Sequence, residues 1–234
     1  NRENYSAQVN SKAFAKPAIR NTYTAPAFVQ VNGKDFGDVV ADKLTTYGDQ
    51  WKGINLEDGQ DGLYNKDKAK AQLEKAKAEL QKDGVQFPIH IDVPVIQNAT
   101  SIVTRMQSLK QTVEDTLGKD NVVIDVQKLS TDDADNATYF AQSADQKDFD
   151  LDITGWGPDF QDPSTYLDIL NPTDGSTLTG MGLDPKKDQA LIEKIGLNQY
   201  KELLDADNAD KSDTNASYET SAAAHAWLTE NAIV

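Results

Sequence analysis

Residues 155–159, Gly-Trp-Gly-Pro-Asp, place an indole and a carboxylate on a corner stiffened by proline. Asp159 carries a full negative charge, and a hydrogen bond from a cationic group to such an oxygen is stronger than a neutral one and orients its partner. Trp156 offers a flat wall on which apolar groups or a cation can rest. Gly155 and Gly157 have no Cβ, so the backbone of a ligand can approach the main chain closely. Together these residue types suit an extended molecule with an amine at one end, and a peptide paired strand to strand is the obvious candidate. The residues also admit a plainer reading, in which Trp156 is a core aromatic and Asp159 a turn residue. Just downstream, Asp162-Pro163-Ser164 reads as a helix entrance, with Asp162 or Ser164 as the cap and proline in the first turn.

Other chemistry finds less support. His90 and His225 are the only histidines, far apart in the chain, and no ligand spacing joins them, so no metal site is expected. The absence of cysteine excludes disulfides, thiolate catalysis and zinc sites of the cysteine type. Residues 55–62 and 205–210 hold oxygen ligands at short spacing, but neither segment fits a calcium loop with its closing glutamate. Asp159 and Asp162 can be cast as the acid and base of a polysaccharide hydrolase beside a sugar-stacking Trp156. Such enzymes place their carboxylates by three-dimensional geometry, and two aspartates in one corner are no evidence of it. No serine elbow or phosphate loop is present, and no cofactor is expected. Thirty-eight acidic against 23 basic residues give a net charge of −15, which argues against nucleic acid as a partner. No apolar run approaches the roughly 18 residues of a membrane span, and no signal peptide is visible at the start. Four glycosylation-type triplets, at Asn4, Asn98, Asn136 and Asn215, are expected by chance in a chain this rich in Asn, Ser and Thr.

The corner must be held by the elements around it. Residues 1–62, punctuated by Pro17, Pro26, Gly33, Gly37, Gly48, Gly53 and Gly59, predict short elements and loops. Ala69, Leu73, Ala76 and Leu80 recur at helical spacing and predict an amphipathic helix with small residues on its buried stripe, stopped at Gly84. Phe87–Val93 alternates as a half-buried strand does. Ile102, Met106, Leu109, Val113 and Leu117 mark a second helix ended by Gly118. Val122–Val126 predicts a strand, Thr131–Ser143 a third helix and Phe149–Ile153 a third strand. Asn171–Ser176 reads as a loop, Pro185–Leu204 as helix interrupted near Gly196, and Asn215–Thr229 as a last helix. Strand, helix, strand, helix, strand implies an α/β fold with a mixed or mostly parallel sheet flanked by helices. Ligands of such sheets bind just past the carboxyl ends of strands, where the 155–159 corner would stand.

The stretch "GWGPDFQDPSTYLD" resembles the corresponding part of the oligopeptide-binding proteins of ABC importers, an extracellular solute-binding family that also serves dipeptides and nickel. The resemblance runs on through "GINLEDGQDGLYNKDKAKAQLEKAKAEL", "NVVIDVQ", "YFAQSADQKDFDL" and "AAHAWLTENAIV", and is strongest to the Gram-positive surface lipoproteins that take up peptides. It implies a two-lobed parent of the periplasmic-binding-protein-like type II fold, closing on its ligand like a flytrap. Residues 1–234 would be a single α/β lobe, the second, cut from a longer receptor and lacking the first lobe and the lipid-anchored cysteine. The opening "NRENYSAQVN", which reads like the middle of something, agrees with that expectation.

By the same resemblance, the aspartate matching Asp159 meets the peptide's α-ammonium group. Trp156 lines a side-chain pocket, and backbone near Gly155 and Gly157 pairs with the peptide. Relatives often carry a basic residue just before the Gly-Trp pair; Ile153 and Thr154 stand there in this chain, and no carboxylate-binding role is carried over to them. The resemblance favours the ligand-contact reading of the corner. The expected protein is no enzyme, and its partners are oligopeptides, the missing first lobe and ABC permease subunits. Its expected place is the extracellular face of the cell membrane, lipid-anchored in the intact parent. The alternatives are a cell-surface protein-interaction module and, further off, an acidic polysaccharide-active hydrolase.

Overall fold

Two strands, β3 (Ile89–Ile96) and β4 (Val122–Leu129), run parallel in register from Ile89 beside Val122 to Ile96 beside Leu129. They belong to a computed structural model that describes residues 22–56, 65–141, 143, 146–209 and 211–232. Alternate residues are apolar over Ile89–Val95 and over Val122–Val126, so one face presents Ile91, Val93 and Val95 beside Ile124 and Val126. That face packs against Met106, Leu109 and Val113 of helix α3 (Thr100–Leu117), which returns the chain antiparallel to the strands and so allows their parallel pairing. A small hairpin of β1 (Gln30–Val31) and β2 (Lys34–Asp35) stands apart, followed by α1 (Phe36–Leu44). The architecture is a helix-rich α/β fold with a small parallel sheet, as the strand–helix alternation predicts.

Helix α2 (Lys66–Lys82) forms where the periodicity places it, but its inner stripe differs by one residue. Ala69, Leu73 and Leu80 are half-buried, Ala76 is exposed, and Lys77 turns inward instead. The Lys77 ammonium donates to Asn121 Oδ1 at 2.5 Å and lies 5.3 Å from the centre of the Phe87 ring, so its stem covers apolar surface while its charge finds partners. Asn65 caps the start by accepting from Lys68 N at 2.8 Å. Gly84, at φ +81°, ends the helix in the left-handed region, and Val85 N reaches back to Leu80 O at 3.0 Å.

The strand expected over Phe149–Ile153 does not form. Asp150 N and Leu151 N both donate to the Asp92 carbonyl, each at 3.1 Å, and no ladder continues from there. The Asp150 carboxylate accepts from Asp92 N at 2.9 Å, and the Asp152 carboxylate accepts from Ile153 N at 2.7 Å. Side-chain oxygens have taken amides that a sheet would need, the competition by which aspartate disfavours regular structure. Leu151 and Ile153 still pack against the sheet cluster, so the segment lies along β3 without being part of a ladder.

The third helix is shorter than expected. Helix α4 spans Thr131–Ala137, capped by Ser130 Oγ accepting from Asp133 N at 3.1 Å. Just past its end, the Ala137 carbonyl accepts from Asp148 N at 3.2 Å and the Thr138 carbonyl accepts from Lys147 Nζ. Of the expected extension to Ser143, residue 142 lies outside the described residues.

The second half is helical, through α5 (Ser176–Gly180), α6 (Gln189–Lys194), α7 (Leu197–Ala209) and α8 (Thr214–Asn231). Gly196, at φ +82°, breaks α6 from α7 where the sequence places an interruption. Helix α8 packs two ways. Ala222 and Ala226 meet Phe36, Val40 and Leu44 of α1, while Ala224, Trp227 and Leu228 meet the cluster of Leu167, Leu170 and Tyr200. Helix α1 is one of the short elements expected within residues 1–62: Asp35 caps it, accepting from Gly37 N at 2.9 Å, ahead of Phe36, Val39, Val40 and Leu44 at helical spacing. Among the described residues no helix is long and apolar enough to cross a membrane.

Sheet and helix α3 are clipped together by a buried charge. Glu114 on α3, with its side chain 3% exposed, accepts from Lys110 Nζ at 2.6 Å and from Ile124 N of β4 at 3.1 Å. Lys110 also donates to the Ile124 carbonyl, so both backbone polar groups of that residue are held by α3 side chains. Burial pushes the Glu114 carboxyl upward, but the hydrogen bonds from Lys110, Ile124 and Lys119 outweigh it and leave it below the ordinary value of 4.5. Because the folded value is depressed, its contribution is complete above the ordinary glutamate range and is lost as pH falls through the folded value. Glu114→Gln is expected to destabilise the protein by about 1–3 kcal/mol near neutral pH. In urea titrations the gap from the parent protein should narrow as the medium is acidified below the ordinary glutamate range.

Candidate functional site

The corner is held at both ends and free between them. Upstream, Leu151 and Ile153 sit in the sheet cluster, and Asp92 anchors the backbone at 150–151. Downstream, the chain enters a 3₁₀ turn, Pro163–Tyr166, whose first residues Pro163, Ser164 and Thr165 are buried. Asp162 caps that turn, its Oδ1 accepting from Ser164 N at 2.9 Å with proline in the first turn, as the sequence pattern predicts. Gln161 ties the same end to the hairpin side by donating from Nε2 to the Phe28 carbonyl at 2.6 Å. Every residue from Thr154 to Gln161 is exposed.

Trp156 is 42% exposed and packs in none of the hydrophobic clusters, which removes the core-aromatic reading. Asp159 is exposed and neither hydrogen-bonded nor ion-paired among the described residues. Its carboxylate is therefore available for an outside cation. Neither Gly155 nor Gly157 stands at positive φ, and a Cβ added to either would meet no atom within 4 Å. Nothing inside the protein requires glycine at these positions. Gly175 is the contrast: a Cβ there would lie 2.5 Å from Asn171 N and 2.6 Å from Ile169 O, so its glycine is set by internal packing. The corner thus brings together all four residues singled out from the sequence, with Gly155, Trp156, Gly157 and Asp159 on one exposed strap.

The strap also carries Phe160, 60% exposed, which no motif in the sequence singles out. Tyr139 and Phe140, 81% and 55% exposed with rings 5.1 Å apart, are a second apolar feature that no periodicity marked. Charge around the downstream root is negative. Burial raises the Asp168 carboxyl, and Asp207, Asp162 and Asp174 raise it further against the lowering effect of Lys211. Upstream, burial raises Asp152, partly offset by the bond from Ile153 N and by Lys147.

The other sequence candidates have structural partners. His90 Nδ1 lies 2.6 Å from Asp125 Oδ2 on the sheet surface, and His225 is buried far along the chain. Of the acidic run 205–210, Asp205 pairs with Lys201 at 2.6 Å. Asp207 is buried and accepts from Lys211, Ser217 and Ser221, and Asp210 lies outside the described residues. Of the run 55–62 only Asn55 and Leu56 are described. Asp162, the other carboxylate of that corner, serves as a cap, its Oδ1 accepting from Ser164 N. Among the described residues no group of three or more His, Cys, Asp or Glu could hold a metal.

Comparison with known proteins bears on what such a strap belongs to. Residues 9–177 match the family described as bacterial extracellular solute-binding proteins, family 5 middle. The chain belongs to that family. Family 5 members are solute-binding proteins, not enzymes. The chain is 52% identical over 231 residues to the oligopeptide-binding protein SarA of Streptococcus gordonii, covering 98% of this chain and 35% of that protein. It is 52% identical over 232 residues to the oligopeptide-binding protein AliA of Streptococcus pneumoniae, covering 98% of this chain and 35% of the relative. AmiA of the same species is 50% identical over 234 residues, 99% of this chain and 35% of its own length. The family 5 chain described here therefore spans about a third of these relatives, 35% in each case.

Solved structures agree on the fold. The substrate-binding domain of an oligopeptide ABC transporter from Bacillus anthracis superposes with a TM-score of 0.61 at 17% identity, over 97% of this chain and 37% of that one. Listeria monocytogenes OppA bound to peptide gives 0.53 at 18% identity, over 97% and 36%.

An exposed strap and a core aromatic respond differently to truncation. Trp156→Ala and Asp159→Ala are expected to change unfolding free energy by less than about 0.5 kcal/mol, as exposed substitutions do. Trp227→Ala, in the helical cluster, should cost about 3–5 kcal/mol. Urea denaturation of the three variants measures both.

Proposed function

We propose that this chain is the peptide-contacting second lobe of an extracellular receptor that hands oligopeptides to an ABC importer. The observation that carries the reading is an Asp159 carboxylate unpaired among the described residues, on an exposed strap beside Trp156 and two glycines that no described residue demands. Support also comes from the 50–52% identity to three proteins that are named oligopeptide-binding.

In this reading Asp159 accepts charge-assisted hydrogen bonds from the α-ammonium group of the peptide, which sets its direction and register. Peptide backbone lies along Gly155 and Gly157, where the missing Cβ atoms let main chain meet main chain. Trp156 walls one side-chain position. The first lobe of the same receptor covers the opposite side of the peptide, and closure of the two lobes excludes water and strengthens the Asp159 bond by lowering the local dielectric. The closed form is what the permease subunits engage. The receptor acts at the extracellular face of the cell membrane, held there by a lipid anchor.

Half of the peptide's surroundings belong to the other lobe, so calorimetry with this chain alone should detect only weak peptide binding or none. Tight binding by the isolated chain would contradict the shared-site reading. In the full-length receptor, Asp159→Asn should weaken peptides with a free amino terminus by about 1.5–3 kcal/mol, the range for a hydrogen bond to a charged group. N-acetylated peptides should lose less, and equal losses for both would remove Asp159 from this role. Since an α-amino group titrates near 7.7–8.0, affinity for free-amine peptides should fall as pH rises through about 8, while acetylated peptides hold level.

A further inference from the structure

The strap's downstream end is fixed by a residue sixty-two positions away. His225 of α8 is fully buried, and its Nε2 lies 3.3 Å from the Pro163 carbonyl, the first buried residue after the corner. A carbonyl can only accept, so Nε2 is the protonated nitrogen. The ring is boxed by three aromatics: Phe36 of α1 at 5.1 Å between centroids, Tyr23 at 5.6 Å and Tyr166 of the 3₁₀ turn at 6.4 Å. Tyr166 in turn meets Phe28 edge-on at 5.6 Å, and Phe28 is the residue whose carbonyl receives Gln161. These rings surround the imidazole, and its Nε2–H is aimed at the strap's root.

Resting on the peptide-receptor reading, we propose that His225 is a positioning residue for Asp159. Its Nε2–H bond holds Pro163, and with it the four-residue run Asp159–Asp162, at the height where the carboxylate meets a peptide amine. Pro163 has no N–H and Asp162 is spent on its own cap, so the carbonyl bond to His225 is the link between this turn and α8 that carries direction. The upstream anchor at Asp92 lies on β3, beside a different hydrophobic cluster, and holds only residues 150 and 151. Without the donor, the downstream leg keeps its apolar contacts but loses the hydrogen bond that orients it.

The test compares His225→Phe, which keeps a ring without a donor, with His225→Gln, whose amide can place an N–H near the Nε2 position. The readout, in the full-length receptor, is the ratio of dissociation constants for an N-acetylated and a free-amine form of one peptide. Asp159→Asn sets the scale. His225→Phe should lower that ratio by about tenfold, comparable with loss of a charge-assisted hydrogen bond, and leave the acetylated peptide's affinity within about twofold. His225→Gln should recover most of the ratio. If Asp159→Asn lowers the ratio and His225→Phe does not, or if His225→Phe weakens both peptides equally, the positioning role is overturned while the amine site stands. If Asp159→Asn leaves the ratio unchanged, the amine site itself is overturned and the proposal falls with it. A measurement on unmutated protein guards against variants that fail to fold: the imidazole ¹⁵N spectrum should show the Nε2–H tautomer. A neutral Nδ1–H tautomer there would remove the bond to Pro163 and overturn the proposal.

Discussion

Leu151 and Ile153 pack in one hydrophobic cluster and Leu167 and Leu170 in another, and the backbone between them has to cross the gap. That constraint makes the site. Burying a leucine or isoleucine is worth roughly 1.5–3 kcal/mol, so neither end can be drawn toward the other without giving up apolar contact. The residues in between are held as an exposed strap, and residues on a strap need not serve packing. Gly155, Trp156, Gly157 and Asp159 are relieved of any internal duty by the two anchors on either side of them.

Helix α8 turns that local constraint into a property of the whole chain. Small residues, Ala222 and Ala226, let α1 come close on one side, while Trp227 and Leu228 fill the helical cluster on the other. A buried carboxylate, Asp207 of α7, bonds Ser217 and Ser221 of α8 and pairs with Lys211, which supplies the donors that a charge out of water must have. Through His225 the same helix reaches the turn below the strap. Helix α8 thus contacts the turn that follows the strap, although it lies far along the sequence from the sheet.

Much of this was legible from residue order. Stops at Gly84, Gly118 and Gly196 were readable because a positive φ suits glycine, and all three stand there at φ between +81° and +85°. The parallel pairing of β3 with β4 followed from alternation on either side of an amphipathic helix. Phe149–Ile153 misled because its pattern is that of a strand, while its aspartates bind amides more readily than a neighbouring strand does. Lys77 misled in the opposite way, since a long stem can line a stripe that periodicity assigns to alanine. The family resemblance marked the four strap residues, but the residues alone left open whether Trp156 was core and Asp159 merely a turn.

Sequence by itself determined the elements whose causes are local: periodic apolar faces, caps such as Asn65 and Asp162, and glycine stops. These depend on contacts within about one or two helical turns, which residue order states directly. Tertiary structure alone decided that Asp159 has no partner among the described residues, that the space beside Gly155 and Gly157 is open among them, and that His225 meets Pro163 across the fold. Each of those facts concerns atoms brought together, or kept apart, by packing between distant segments, and no local pattern encodes it.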